Sequence, residues 1–139
     1  KFMKKIESNI SLKSVSKDDF KFLFELLKER DPKANISHKK MPSYATHVKF
    51  IKSKPYTKWY VILNFKQKVG SIYLSKNDEI GIFLLKTSHR QNFGKIALEM
   101  LMKKNPRKRF LANVSPKNKT SMDFFKKNGF NLIQYTFER

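Results

Sequence analysis

The chain lacks several features that would indicate particular classes of protein. It contains no cysteine, which excludes disulfide bonds, cysteine nucleophiles and zinc sites built on thiolates, and is neutral as to compartment. No apolar run approaches the roughly 20 residues that cross a bilayer, and no basic leader with a small-residue cleavage site is recognised. We therefore expect no membrane association and a cytoplasmic location.

Acidic residues are scarce. Against 31 Lys and Arg there are 11 Asp and Glu, which gives a formal net charge of +20. Such an excess raises nucleic acid as a partner, because clustered cations release counterions from phosphates. The positive charge is spread evenly along the chain, however, with a net charge of +11 over residues 1–70 and of +9 over residues 71–139. Since it forms no tail or stripe and no nucleic-acid-binding motif accompanies it, nucleic acid is not the expected partner.

The periodicity of apolar residues predicts one domain over residues 1–139, with the order βααβββαβαβ. Strands are predicted at 9–15, 59–65, 68–74, 79–85, 110–114 and 131–137, from alternating or β-branched residues. Helices are predicted from Ser16 to about Pro32, from Pro42 to Pro55, at 94–104 and at 119–128, with 33–40 as a loop. The three consecutive strands favour an antiparallel meander within a mixed α/β (α+β) domain.

Glycine is also scarce, with four in the chain, and one lies in HRQNFGKIA, residues 89–97, between a predicted strand and helix. A helix N-terminus exposes unpaired N–H groups and the positive end of the helix dipole, so this junction can bind phosphate. Loops that do so use glycine where the backbone needs a positive φ, and Asn best tolerates that conformation after glycine. Asn92 can therefore replace a first glycine, with Gly94 two residues on. An ordinary helix start capped by Asn92 is the alternative.

A second motif, NVSPKNKTSMDFFKKNGF, covers residues 113–130. Asn118 and Ser121 lie one helical turn apart, the aromatic pair Phe124 and Phe125 follows, and Gly129 ends the helix. A structural interpretation is available here too: Asn118 caps the helix, one Phe fills the core and Gly129 is the left-handed cap.

In this order and separation the two motifs resemble those of the GNAT superfamily of acyl-CoA-dependent N-acetyltransferases. The family loop pattern Arg/Gln-x-x-Gly-x-Gly/Ala corresponds to His89, Asn92 and Gly94, and its later helix pattern Asn-x-x-Ser-x-x-Phe-Tyr corresponds to residues 118–125. The resemblance implies a single domain with a mixed, mostly antiparallel sheet of about six or seven strands, flanked by about four helices. It also implies that the sheet is splayed between its fourth and fifth strands.

The resemblance further implies that acetyl-CoA, the acyl donor, lies in that splay. Its pantetheine arm would pair with the backbone of Ile82, Phe83 and Leu84, and Asn118 and Phe125 would contact it from the later helix. The N–H groups of the loop and helix start would hold the pyrophosphate, namely those of Arg90, Gln91, Asn92, Phe93, Gly94 and Lys95.

The catalytic groups are less clearly indicated. Phe125 stands where many members of the family carry a tyrosine that protonates the departing thiolate, so another acid, water or unassisted departure must serve. Glu79 is the first candidate for the general base because it begins the central strand, where some members of the family that the chain resembles carry such a glutamate. Tyr73 and His47 are further candidates. Each of the three also has a structural interpretation. No metal site is expected, because His, Asp and Glu show no ligand spacing.

The acceptor is the least defined part of the prediction. Residues 30–62 resemble, loosely, GNAT enzymes that acylate amino groups on nucleotide-linked sugars, and the excess of positive charge favours an anionic acceptor. A protein or peptide amine is the rival, and a non-catalytic basic module that binds CoA or nucleic acid is a further alternative. The predicted partners are thus a small-molecule or peptide amine, with the protein a monomer or homodimer.

Overall fold

The computed structural model describes residues 8–30, 40–89 and 92–139. These residues contain one four-stranded sheet in the order β1-β2-β3-β4, in which every neighbouring pair is antiparallel. The strands are β1 (Ile10–Ser14), β2 (Lys58–Asn64), β3 (Gln67–Leu74) and β4 (Ile80–Leu84). The predicted opening strand and the three-strand meander are therefore confirmed.

Four α-helices flank the sheet, as predicted. They are α1 (Phe20–Glu29), α2 (Tyr44–Lys52), α3 (Phe93–Lys104) and α4 (Lys119–Lys127). Ser43 caps α2 by accepting a hydrogen bond from the N–H of Thr46, and Gly129 follows α4 at φ 88°. The longest of these helices has 12 residues, so no helix in the described part of the chain has the length and apolar character needed to cross a membrane.

The two faces of the sheet are covered by different helices. One face packs on α3 and α4, where side chains from alternate strand positions meet the buried face of α3. This core consists of Tyr60, Ile62, Val69, Ile72, Leu74, Ile80, Phe93, Ala97, Leu98, Leu101 and Phe125. The other face is covered by α1 and α2, through the buried residues Leu23, Leu26 and Ile51.

Two predicted strands do not form. Residues 110–114 make a single parallel bridge, between Leu111 and Glu79, and residues 131–137 form no strand. The predicted six or seven strands are therefore not found in the described residues, which contain four. The physical reason is that strand formation needs a hydrogen-bonded neighbour as well as β-forming residues, and β4 accompanies the 110–114 segment at one point only. Most of the predicted loop at 33–40 lies outside the described residues.

A buried carboxylate joins the start of α1 to the sheet. Asp19 is fully buried and forms ion pairs with Lys13 of β1 at 2.7 Å and Lys68 of β3 at 2.8 Å. Its carboxylate also accepts a hydrogen bond from the N–H of Ser16 at 2.9 Å. Burial by itself would raise the pKa of Asp19, but the hydrogen bonds from the two lysines and Ser16 outweigh it and lower the pKa to about 2.

We predict that Asp19→Asn destabilises the fold, because two lysines lose their counter-charge beside a buried amide. Since the folded-state pKa lies below the ordinary 3.8, the stabilisation is fully present above about pH 4 and is lost as the pH falls towards 2. The shift corresponds to about 2 kcal/mol. Urea unfolding at pH 7 and pH 2.5 measures it, and the gap between wild type and variant should shrink at the lower pH. An equal gap at both would contradict this account.

Candidate active site

A gap opens along the outer edge of β4. At its start, the Ile80 N–H donates to the Leu111 carbonyl at 2.7 Å and the Leu111 N–H donates to the Asp78 carbonyl at 2.9 Å. Beyond this bridge the two segments of the chain separate. A cavity of about 190 Å³ lies between β4 and residues 110–115. The outer edge of the fourth strand is therefore open beyond this bridge, whereas the described residues contain no fifth strand, so the predicted splay between a fourth and a fifth strand stays a prediction.

The backbone of β4 supplies hydrogen-bonding groups to this gap. Successive residues of a strand point their N–H and C=O groups to opposite sides. Because the N–H of Ile80 points to Leu111, the backbone groups of Ile82 and Leu84 also point away from β3 and into the gap. The Leu84 carbonyl is bonded to the His89 ring at 2.9 Å. The backbone N–H and C=O groups of Ile82, at the middle of the strand, are thus the best placed to pair with an extended ligand. The backbone groups of Phe83 point towards β3.

The end of β4 lies close to the N-terminus of α3, since a β-carbon at Gly94 would be 3.5 Å from the Leu84 side chain. Asn92 immediately precedes this helix with φ 63° and ψ 10°, which is the left-handed conformation. Asn92 therefore adopts the left-handed conformation that the sequence predicted for it, and its part in a phosphate site stays a prediction. The N–H groups of Phe93, Gly94 and Lys95 are the first of α3. The first N–H groups of any α-helix have no carbonyl acceptor within that helix. Arg90 and Gln91 lie outside the described residues.

Gly94 brings α3 close to α4. A β-carbon at Gly94 would lie 3.1 Å from the ring of Phe124 and 3.5 Å from Leu84, so a side chain here would press on the Phe124 ring, and glycine is favoured for packing and not for a positive φ. On α4, the side chain of Asn118 accepts a hydrogen bond from the N–H of Ser121 at 3.1 Å, as a helix cap. Asn118 and Phe125 both line the cavity, and Phe125 is also part of the core.

The far side of the cavity has an aromatic wall. The rings of Tyr56 and Tyr73 are stacked, with centroids 3.7 Å apart and planes at 6°. The Tyr73 ring occupies the space where a β-carbon of residue 81 would be, so only glycine at this position of β4 leaves room for it. Burial raises the pKa of the Tyr73 hydroxyl, against the opposing effect of Arg30. This hydroxyl therefore stays protonated at neutral pH.

Two charged side chains complete this side of the cavity. The Glu79 carboxylate accepts hydrogen bonds from the Ser75 hydroxyl at 3.1 Å and from the side-chain amide of Asn113. The guanidinium of Arg30, at the end of α1, lies over the Phe83 ring at 4.4 Å, and burial lowers its pKa. The full lining consists of Arg30, Tyr56, Tyr73, Ser75, Glu79, Ile80, Gly81, Ile82, Phe83, Asn113, Val114, Ser115, Asn118, Ser121 and Phe125.

His47 lies elsewhere. It is buried on α2 among aromatic side chains, with its ring centroid 5.9 Å from that of Phe24 and 6.1 Å from that of Phe50, and it is not part of the cavity lining. Burial lowers its pKa, so it is neutral at physiological pH. The structure thus brings Glu79 and Tyr73 together and leaves His47 in the packing between α1 and α2. Within the described residues, no three His, Asp or Glu side chains are placed to hold a metal ion.

Nine of the fifteen lining residues were not among the predicted site residues, and three of these nine either bear a charge or hydrogen-bond to Glu79. Arg30, Ser75 and Asn113 belong to three separate parts of the chain, and no local motif connects them to the gap. Ser75 carried a weak signal, since it stands in the turn just before Glu79. Arg30 and Asn113 could be assigned only once the end of α1 and the 110–115 segment were placed in space.

The fold is similar to several solved structures, some of which are N-acetyltransferases. A domain from Methanocaldococcus jannaschii superposes with a TM-score of 0.82 at 20% identity, over 95% of this chain and 94% of that one. RimL, a ribosomal L7/L12 alpha-N-protein acetyltransferase in complex with coenzyme A, gives 0.74 at 17% identity, over 94% and 84%. An aminoglycoside N-acetyltransferase in complex with CoA gives 0.70 at 15% identity, over 99% and 98%.

The chain therefore has the GNAT fold, and the resemblance drawn from its two motifs is confirmed at that level. No family model and no curated protein matches the sequence. At identities of 13–20% the similarity to the solved structures concerns the fold, and the activity must be argued from the site.

We predict opposite effects for two substitutions at Asn92. Asn92→Ala places a residue without a local hydrogen-bonding side chain at φ 63° and should cost about 1 kcal/mol of stability. Asn92→Gly, the matched control, should be neutral or slightly stabilising because glycine adopts this conformation freely. Urea denaturation of both variants measures the difference. Equal stabilities would mean that the left-handed turn does not constrain this position.

Proposed function

We propose that the protein is an acyl-CoA-dependent N-acetyltransferase that transfers an acetyl group from acetyl-CoA to a primary amine. The observation that carries the proposal is the gap beside β4, whose lining includes a carboxylate and two tyrosines, together with the N-terminus of α3 close to the end of the same strand. A strand edge with free backbone groups and a following helix N-terminus suit the two parts of one ligand, an amide-containing arm and a pyrophosphate. Neighbouring folds that bind CoA support this assignment.

The cofactor residues follow from this geometry. The backbone of Ile82 would pair with the pantetheine arm, with Phe83 and Leu84 following it along β4. The N–H groups of Phe93, Gly94 and Lys95 would hold the pyrophosphate, with the predicted contributions of residues 90–92 beside them. Asn118 and Phe125 would contact the arm from α4, since both line the cavity.

The chemistry we propose is direct attack of the amine on the thioester carbonyl within a ternary complex. The Glu79 carboxylate, oriented by Ser75 and Asn113, accepts the proton that the amine loses, directly or through water. The amine nitrogen forms the new amide bond, and the C–S bond breaks to release the CoA thiolate. Phe125 has no proton to supply, whereas the Tyr73 hydroxyl keeps its proton and can donate it to the thiolate or hold the acceptor. His47 takes no part.

For the acceptor we propose an amine that also carries an anionic group, with a nucleotide-linked amino sugar as the notable example. Arg30 and the Tyr56–Tyr73 stack form the wall that would contact the rest of the acceptor, and stacked tyrosines suit a sugar or base. The described lining holds one carboxylate, too few for a polycation. A protein or peptide amine is the alternative acceptor.

A second candidate function is CoA binding without catalysis. One observation favours it, namely Phe125 in the position where a catalytic tyrosine is expected. Both functions predict that the protein binds CoA, but only the acetyltransferase function predicts that an amine is acetylated.

We predict that acetyl-CoA stabilises the protein against heat and that oligonucleotides do not. At a ligand concentration about 100 times Kd the stabilisation is about 2.7 kcal/mol. Lys95→Glu should weaken acetyl-CoA binding about five- to tenfold, because it reverses a charge beside the pyrophosphate site. Lys103→Glu, at the other end of the same exposed helix surface, is the control and should bind normally. Stabilisation by oligonucleotides alone would reverse the assignment.

We predict that Glu79→Gln lowers kcat by about a hundredfold or more, in the range that general bases contribute, and leaves the Kd for acetyl-CoA nearly unchanged. Thiol release with a panel of anionic, neutral and polycationic amines measures turnover, and calorimetry measures cofactor binding. Glu25→Gln, an exposed residue on α1, is the control and should retain full activity. Acetyl-CoA binding with no turnover of any amine by the wild type would favour the non-catalytic function.

A further inference from the structure

The carboxylate of Glu29 joins the end of α1 to the loop that follows β4. Glu29 is the last residue of α1, and its Oε1 accepts a hydrogen bond from the backbone N–H of Lys86 at 3.0 Å. Lys86 begins a short 3-10 turn, Lys86–Ser88. The two residues are 57 positions apart in the chain, so this bond is a tertiary contact between the helix and the loop.

The N–H of Lys86 takes its acceptor from outside its own turn. The first N–H groups of a helical turn have no carbonyl partner within it, and a preceding Ser, Thr, Asp or Asn commonly supplies the acceptor. Here the preceding residue is Leu85, whose side chain makes no capping hydrogen bond because it carries no oxygen. The Glu29 carboxylate therefore caps this turn from a distant part of the chain.

The rest of the loop is held close to the sheet. The N–H of Leu85 donates to the Val69 carbonyl of β3 at 2.9 Å, and the N–H of Ser88 donates to the Leu85 carbonyl at 2.8 Å. Ser88 is buried. The bond to Glu29 adds a fixed point on α1, so the loop is tied to two different elements just before the chain reaches residues 90–95.

The end of α1 is itself anchored. Arg30, the residue after Glu29, places its guanidinium over the Phe83 ring of β4 at 4.4 Å. Leu26, about one turn before Glu29, is buried. A side chain can position another group only where its own base is held by packing. Glu29 meets this condition, since it lies between a buried residue and one that packs on β4.

Electrostatics alone does not account for a carboxylate at this point. The proposed function assigns an anionic pyrophosphate to residues 90–95, and a carboxylate bonded to the loop that leads there opposes an anion. Acids are also scarce in this chain, with 11 among 139 residues. The hydrogen bond to the Lys86 N–H gives Glu29 a role that is independent of its charge.

We propose that Glu29 is a positioning residue of the cofactor site. Its carboxylate sets the course of residues 86–89, and thereby the orientation in which the N–H groups of Phe93, Gly94 and Lys95 meet the pyrophosphate. This inference rests on the proposed function. Because Glu29 is not part of the cavity lining, it affects the affinity for the cofactor and not the transfer of the acetyl group.

Calorimetry with CoA tests the proposal on three variants. Glu29→Ala removes the acceptor and should raise the Kd about three- to tenfold, the range that one lost hydrogen bond gives. Glu29→Gln keeps an oxygen that accepts the N–H and should bind at least as tightly as wild type. Glu25→Ala, an exposed acid on the same helix, is the charge control and should do the same. If both Glu29 variants bind CoA more tightly than wild type, Glu29 acts through its charge and the proposal is wrong.

Amide exchange measured by NMR without cofactor separates this inference from the proposed function. The Lys86 N–H should exchange faster in Glu29→Ala than in wild type or Glu29→Gln. Equal exchange in all three would refute the proposal whether or not CoA binds. A wild type that does not bind CoA would refute the proposed function, and the role of Glu29 with it. CoA binding by wild type that Glu29→Ala leaves unchanged would refute this inference alone.

Discussion

The site depends on one pair of hydrogen bonds, those that join Leu111 to the chain on either side of Glu79. They hold the start of residues 110–115 parallel to the start of β4, and the later residues of the two segments are not paired. If pairing continued along the strand, the backbone of Ile82 would be satisfied and no gap would exist. Because it stops, the edge of β4 is open just before the chain turns into α3, and a strand edge and a helix N-terminus are available to the same ligand.

Alternate side chains of β4 point to opposite faces of the sheet, one of which is the packed core and the other the candidate site. Ile80 and Ile82 point to the face covered by α3 and α4 and contribute to its packing. Glu79, Gly81 and Phe83 point to the other face, where the tyrosine pair, Arg30 and the carboxylate surround the cavity. The acyl donor and the acceptor of the proposed reaction can thus approach the same strand from opposite faces.

The sequence predicted those features that depend on local sterics. The left-handed turn at Asn92 follows from the backbone preferences of Asn, and the meander of β2, β3 and β4 follows from their β-branched and aromatic runs. Features that depend on distant neighbours were missed or misassigned. Residues 110–114 and 131–137 have β-forming residues but lack a full set of strand partners in the part of the chain that the structure describes. His47 lies on an apolar helix face, and nothing local distinguishes a core histidine from one in a site. Arg30 and Asn113 reach the cavity through tertiary packing alone.

The close approach of the Tyr73 ring to Gly81 limits which residues homologous proteins can carry at these two positions of the pocket. The aromatic ring fills the volume of the missing β-carbon, so any side chain at position 81 would displace the ring and, with it, the stacked Tyr56. A smaller residue at position 73 would remove this restriction. Among homologous sequences the two positions should therefore vary together, with glycine at 81 retained wherever 73 is aromatic, and this covariation would follow acceptor preference more closely than cofactor use.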